Sequence, residues 1–147
     1  MKADTVHLRI HSQTEKLNLV REFIGEAARE HGFDEEAVGK IMLAVDEACT
    51  NIIKHAYGYA PDRTIDLEIQ IAGDRFDIVI THSGKSFDPT AVRKPDMQEY
   101  FKKYQRGGLG IHLMRTLMDG VEYEALPDSR NLVRMYKYLP HEDRKQR

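Results

Sequence analysis

Apolar residues along this chain change their spacing from a period of two to a period near 3.6 and back again, which restricts the possible folds more than any other feature. Thr5 to Ile10 alternates, with Val6, Leu8 and Ile10 on one side and Thr5, His7 and Arg9 on the other, as a half-buried strand does. From Thr14 to His31 the positions Leu17, Val20, Phe23, Ile24 and Ala27 recur at helical spacing, and Gly32 supplies a stop. Asp34, followed by Glu35 and Glu36, predicts the N-cap of a second helix, because acids suit the positive end of a helix dipole. That helix is expected to run to about Tyr57, where Gly58 and Pro61 break it. Alternation returns at Ile65 to Ile71 and Phe76 to Ile80, joined through Ala72-Gly73-Asp74 as an antiparallel hairpin. A long irregular stretch from His82 to Arg106 follows, with a short helix expected around Met97 to Tyr104. Gly107, Gly108 and Gly110 then lead into an apolar helix from about Ile111 to Met118, and two more strands are expected near Val121 to Ala125 and Leu132 to Tyr138, turning at Pro127-Asp128.

Helices with one apolar stripe and strands with one apolar face bury both only in layers. The expected fold is α+β, a two-layer α/β sandwich in which a mostly antiparallel mixed sheet carries the helices on one face. A single domain over residues 1–140 with a charged tail at 141–147 suits a chain of 147 residues that is 41% hydrophobic. Lys plus Arg total 22 against 24 for Asp plus Glu, a net charge of -2, which lacks the cationic field that draws proteins onto nucleic acid or anionic lipid. Neither nucleic acid nor membrane is an expected partner, and no apolar run approaches the roughly 20 residues of a bilayer span. Cys49 is the only cysteine, so no internal disulfide can form and a reducing cytoplasm is the expected setting.

Chemistry concentrates in two places. In the second helix Ile41, Val45, Ala48 and Ile52 form the stripe expected to face the sheet, while Glu47, Asn51 and His55, four residues apart, run along one line about a hundred degrees round from it. An amide oxygen there can ligate Mg²⁺ and a carboxylate can accept a proton; the same spacing also suits a solvated polar face. Gly107, Gly108 and Gly110 precede a helix, so the backbone can approach a ligand closely and free N–H groups can receive an anion. Arg106 beside them can pair with phosphate oxygens. A glycine turn used only for packing is the alternative. Gly84 permits a tight turn after the second hairpin strand, and Phe87 is placed to plug the edge of the core. The chain has no G-x-x-x-x-G-K-[ST] loop, no G-x-S-x-G elbow and no His/Cys spacing of the zinc type.

Taken in order, Asp46-Glu47-Ala48-Cys49-Thr50-Asn51-Ile52-Ile53-Lys54-His55-Ala56-Tyr57, Gly84-Lys85-Ser86-Phe87-Asp88-Pro89 and Gly107-Gly108-Leu109-Gly110-Ile111 resemble the N box and the two glycine boxes of bacterial anti-sigma-factor serine kinases. These are Bergerat-fold (GHKL) ATPases, alongside gyrase, heat-shock chaperone ATPases and histidine kinases. The resemblance covers the chain from the first strand to about Leu139, and the order of three boxes is more specific than any one of them. It implies that ATP lies between the second helix and the sheet, under a lid formed by the long loop. Glu47 matches the general base that activates a substrate serine, and Asn51 matches the Mg²⁺ ligand. Gly84 matches the first glycine box near the adenine, while Gly108 and Gly110 match the second, whose backbone borders the phosphates. His55, His82, Phe87, Arg106, Gly107 and Leu109 complete the implied nucleotide-binding set. The implied partners are a small anti-anti-sigma protein of the STAS type, which is phosphorylated on serine, a sigma factor held inactive, and a second copy of the chain in a homodimer.

One departure stands out. The family's first glycine box begins with an aspartate that accepts a hydrogen bond from the adenine amino group, and this chain has His82 there. A neutral imidazole accepts through one nitrogen but carries no fixed charge, and protonation turns its acceptor into a donor. Loss of a charge-assisted bond worth about 1.5 to 3 kcal/mol costs roughly one to two decades of affinity. Asn131 falls where many relatives have a threonine after glycine. A non-catalytic module that sequesters a regulator without nucleotide is the alternative these changes raise.

Overall fold

The computed structural model describes residues 4–83 and 113–140. The chain enters as strand β1 (Asp4–His11), makes one 3₁₀ turn at Thr14–Lys16 and continues as helix α1 (Leu17–His31). Leu17, Val20, Ile24 and Ala28 of α1 are buried at three- and four-residue intervals, the stripe that the sequence spacing predicts. Gly32 ends the helix at φ 114°, a left-handed conformation that favours glycine. Phe33 then donates its N–H back to the Ala28 carbonyl at 3.1 Å and buries its ring, closing the helix end. Asp34 caps helix α2 (Glu35–Asn51), its Oδ1 accepting the Ala37 N–H at 2.8 Å.

Helix α2 differs from expectation at its far end. The α-helical geometry stops at Asn51, and Ile52–Ala56 form a π-helical turn that Tyr57 closes by donating its N–H to the Ile52 carbonyl at 2.9 Å. The wider turn lets consecutive Ile52 and Ile53 both reach the core. Such bulges occur inside α-helices, frequently at functional sites. Gly58 and Tyr59 then reverse the chain at φ 54° and 65°. Buried Ser12 holds this return in place, donating its hydroxyl to the Ala60 carbonyl at 2.5 Å and accepting the Arg63 N–H at 3.1 Å.

Strands β2 (Thr64–Ala72), β3 (Arg75–Ser83), β4 (Gly120–Ala125) and β5 (Arg130–Tyr138) complete a five-stranded sheet ordered β1-β2-β3-β5-β4. Every pairing is antiparallel, so the mixed sheet expected from the sequence is uniform among the described residues. The hairpin of β2 and β3 turns through Gly73 at φ 62°, as its glycine predicts. Residues 113–117 are helical, inside the stretch expected to form the last helix, and Met114 and Met118 reach the core. Ile65, Leu67 and Ile69 of β2, Phe76, Ile78 and Ile80 of β3, and Val133 and Met135 of β5 meet α1 and α2 in one core.

The face turned away from the helices is not simply solvated. Asp77 is 5% exposed there, between two arginines. Arg75 reaches it through Nε and Nη2 at 2.7 and 3.0 Å, and Arg134 through Nη1 at 2.7 Å. The Arg75 guanidinium also lies 3.9 Å from the centre of the Tyr136 ring, a cation–π contact. Replacement Asp77→Ala leaves two arginines without their acceptor, and it is expected to lower stability by about 2 kcal/mol, read from the urea midpoint at unchanged slope.

Candidate functional site

Glu47 and Asn51 are one turn apart on α2 and both half-buried, on the flank of the buried stripe Ile41, Val45 and Ala48. They are at the rim of the helix-sheet layer, neither sealed in the core nor fully solvated. Asp46 beside them is held from α1, with Arg21 Nη2 2.9 Å from its Oδ1, and Arg21 also donates to Asn18 Oδ1 at 2.7 Å. This ion pair, close in distance but outside hydrogen-bond geometry, links α1 to α2 at the turn that carries Glu47. Cys49 is fully buried behind it, and burial first, with the Asp46 charge second, pushes its thiol up to about 12. A thiol so placed is inert packing.

His55 falls within the π turn, so it leaves the line on which Glu47 and Asn51 stand in a continuous α-helix. Its imidazole is partly buried, and desolvation, then the Lys54 charge, lower its pKa from the ordinary value of 6.5.

The sheet's contribution lies at the end of β3 and the start of β5. His82 pairs in register with Asn131 across the two strands, and with Ile65 on the other side. Alternation from Ile78 and Ile80 puts His82 on the helix-facing side, and alternation from Met135 and Val133 puts Asn131 there too. Asn131 is 5% exposed. His82 Nδ1 and Asn131 Nδ2 are both buried and have no hydrogen-bond partner among the described residues. Burial lowers the His82 pKa below 6.5, with the Ser83 backbone acting against it, so the ring is neutral at pH 7.

Tyr57 joins the helix edge to the sheet end. Its hydroxyl donates to the Thr64 carbonyl at 2.6 Å and accepts the Ser83 N–H at 3.0 Å, while its ring meets His82 edge-on at a centroid distance of 5.8 Å. One residue thus spans the π turn, the start of β2 and the end of β3. Sequence spacing missed it, although a tyrosine directly before the helix-ending Gly58 was the available signal. Gly84, Phe87, Arg106, Gly107, Gly108, Leu109 and Gly110 lie outside the described residues.

No group of three or more His, Cys, Asp or Glu gathers among the described residues in a way that could hold a metal by itself. Magnesium does not require such a cage, since it keeps several waters and takes one or two protein ligands beside substrate phosphates. The Asn51 amide oxygen suits that role, and the unpartnered atoms of His82 and Asn131 suit the polar edge of a planar base. No described helix is long and apolar enough to cross a membrane.

Residues 10–137 match the model of the histidine kinase-like ATPase domain. The chain is 32% identical over 144 residues to the serine-protein kinase RsbW of Halalkalibacterium halodurans, covering 95% of this chain and 86% of that protein. It is 30% identical over 142 residues to the serine-protein kinase RsbW of Bacillus subtilis, covering 93% and 87%. Among solved structures, the RsbU and RsbW domains of Rv1364c from Mycobacterium tuberculosis superpose with a TM-score of 0.65 at 17% identity, over 92% of this chain and 32% of that longer one. The SiaB-SiaC complex from Pseudomonas aeruginosa gives 0.61 at 12% identity, over 91% and 89%. At these identities the two structures speak for the fold alone.

Two outcomes follow from the geometry. Tyr57→Phe keeps the ring but leaves the Thr64 carbonyl and the Ser83 N–H without their partner, so stability is expected to drop by about 1 to 3 kcal/mol in chemical denaturation. The lowered pKa of His55 and His82 sets a sign as well: the unfolded chain takes up protons first, at the ordinary value of 6.5. Stability is therefore level above that pH and declines as acid is added, until the folded-state imidazoles titrate. Urea midpoints between about pH 7.5 and about pH 5.5 should show this, and His55→Gln with His82→Gln should flatten the slope.

Proposed function

Because the chain belongs to the histidine kinase-like ATPase domain family and resembles RsbW serine-protein kinases over nearly its whole length, we propose that it is an anti-sigma factor with serine-protein kinase activity. In this reading it uses Mg-ATP to phosphorylate a serine of a STAS-type anti-anti-sigma protein, and otherwise holds a sigma factor inactive, working as a homodimer in the cytoplasm. The observation that carries it is the placing of Glu47 and Asn51, half-buried on one edge of α2, on the helix that runs into the Tyr57 junction. The elements meeting at that junction offer a proton acceptor and a hard oxygen ligand from one helix, and unsatisfied polar atoms from the sheet.

Phosphoryl transfer asks little covalent chemistry of a protein, so positioning and charge neutralisation carry the rate. The substrate serine oxygen forms a bond to the γ-phosphorus while the bond to the β,γ-bridging oxygen breaks, and ADP leaves with that electron pair. The hydroxyl proton passes to the Glu47 carboxylate. The Asn51 amide oxygen would hold magnesium, which would supply neutralisation of phosphate charge. The Arg21–Asp46 pair, at 2.9 Å, links the turn bearing Glu47 to α1. Arg106 and the glycines from 107 to 110 are proposed to border the phosphates.

His82 favours one competing reading, a non-catalytic module that sequesters its regulator without nucleotide. Calorimetry separates the two, since Mg-ATP binding by the wild-type protein is expected here, and its absence alongside retained partner binding selects the module. Glu47→Ala is expected to lower serine phosphorylation by about 10²- to 10⁴-fold while leaving Mg-ATP affinity nearly unchanged, whereas Asn51→Ala lowers both. Undiminished transfer by Glu47→Ala would remove that residue as the base.

A further inference from the structure

Tyr57 enters the sheet as a rung of its ladder. The register of β2 and β3 sets Ile65 opposite His82, so Thr64 and Ser83 are the next opposite pair. The phenol oxygen lies between them, donating to the Thr64 carbonyl at 2.6 Å and accepting the Ser83 N–H at 3.0 Å. A side chain from the residue that closes the π turn of α2 therefore stands where the two strands would otherwise bond each other. Tyr57 is 7% exposed, so water competes little for these bonds. The return that follows is held separately. Tyr59 donates its N–H to the Ile53 carbonyl at 2.8 Å, and Ser12 binds both Ala60 and Arg63. Tyr59 sits at φ 65°, a conformation costly for a non-glycine residue that persists where the surroundings over-determine it, often at functional sites.

A ligand that touches two separate elements gains from its second contact only if the protein already holds them at the ligand's own spacing. That gain is an effective concentration, and it shrinks when the elements must first be aligned. In the nucleotide reading given above, the phosphates and magnesium belong to the helix edge at Asn51 and the base to the sheet. Apolar packing between the layers is non-directional and leaves their relative slide loosely set. We propose that the Tyr57 hydroxyl is a positioning group for the nucleotide: without touching it, the hydroxyl holds the helix edge and the sheet end at the separation that a nucleoside triphosphate bridges. This inference rests on the nucleotide reading and adds to it a residue that the reading does not otherwise use.

Titration calorimetry on the full chain, with Mg-ATP and its two parts, adenosine and magnesium tripolyphosphate, tests it. The product of the dissociation constants of the parts, divided by the constant for Mg-ATP, is the effective concentration. Tyr57→Phe is expected to lower this quotient by about tenfold or more, while each part alone changes by less than about threefold. Ser83→Pro removes the N–H donor on the other side of the same bond and should lower the quotient likewise, which keeps the test open if Tyr57→Phe does not fold. Partial unfolding raises all three constants by one factor and so moves the quotient upward, the opposite direction. Asp77→Ala, destabilised on the far face of the sheet, should accordingly not lower it. A quotient within about threefold of the wild type in Tyr57→Phe, or in Ser83→Pro where Tyr57→Phe does not fold, overturns the positioning role and leaves the nucleotide reading standing. An equal fall in Asp77→Ala does the same. Failure of the wild type to bind Mg-ATP overturns both.

Discussion

The Tyr57 hydroxyl is the point on which the alignment of the α2 end with the sheet depends. A helix and a sheet stacked in two layers are held along their length by apolar contact, which is non-directional and does not fix how their ends align. Hydrogen bonds from one phenol to the Thr64 carbonyl and from the Ser83 N–H supply that alignment, at 2.6 and 3.0 Å. They join the end of the helix carrying Glu47 and Asn51 to the end of the strand carrying His82. The π turn at Ile52–Ala56 makes this possible, because its wider winding buries both Ile52 and Ile53 and still delivers Tyr57 to the sheet.

The opposite face of the sheet is held by different means. Asp77 lies near the start of β3, and its two arginines come from its own strand and from β5. Arg134 also donates to Gln70 of β2 at 2.9 Å, so one guanidinium ties three strands together. Strands β3 and β5 are the two that carry His82 and Asn131, and their register is therefore fixed from below by charge and from above by the core. A one-residue slip would move both orphaned atoms to the wrong face.

Much of this was legible in the sequence, and what was not has a common cause. Alternation placed all five strands, and Gly32 and Asp34 marked the corner between the helices, because these signals are local. Three features were hidden. The π turn reads like the end of an α-helix, since the residues Ile52 to Ala56 show no break in composition. Burial of Asp77 ran against the pattern, which assigns it to a solvated face; only its pairing with Arg134, 57 residues on, reveals why the charge is tolerated. Tyr57 touches residues 7 and 26 positions away through its hydroxyl, a long-range arrangement that no periodicity encodes. Of the site itself, the spacing put Glu47 and Asn51 on one helix edge but could not show that His82 and Asn131 end up adjacent.

On the proposed nucleotide reading, a histidine where the resemblance implies a carboxylate would weaken one contact without removing the means of binding. A ligand held with a micromolar dissociation constant has about 8 kcal/mol of binding free energy. Losing one charge-assisted bond of about 1.5 to 3 kcal/mol leaves roughly 5 to 7, which corresponds to a range from about ten to somewhat over a hundred micromolar. The triphosphate end, through charge and backbone donors, is indifferent to the base. On the proposed reading His82 lowers affinity without abolishing binding, and Glu47 and Asn51, half-buried on one edge of α2, are the proposed base and Mg²⁺ ligand. A module without nucleotide would gain stability by replacing His82 and Asn131, whose Nδ1 and Nδ2 have no partner among the described residues, with apolar side chains. Two unpartnered polar side chains kept at a cost to folding favour the proposed nucleotide reading over that module.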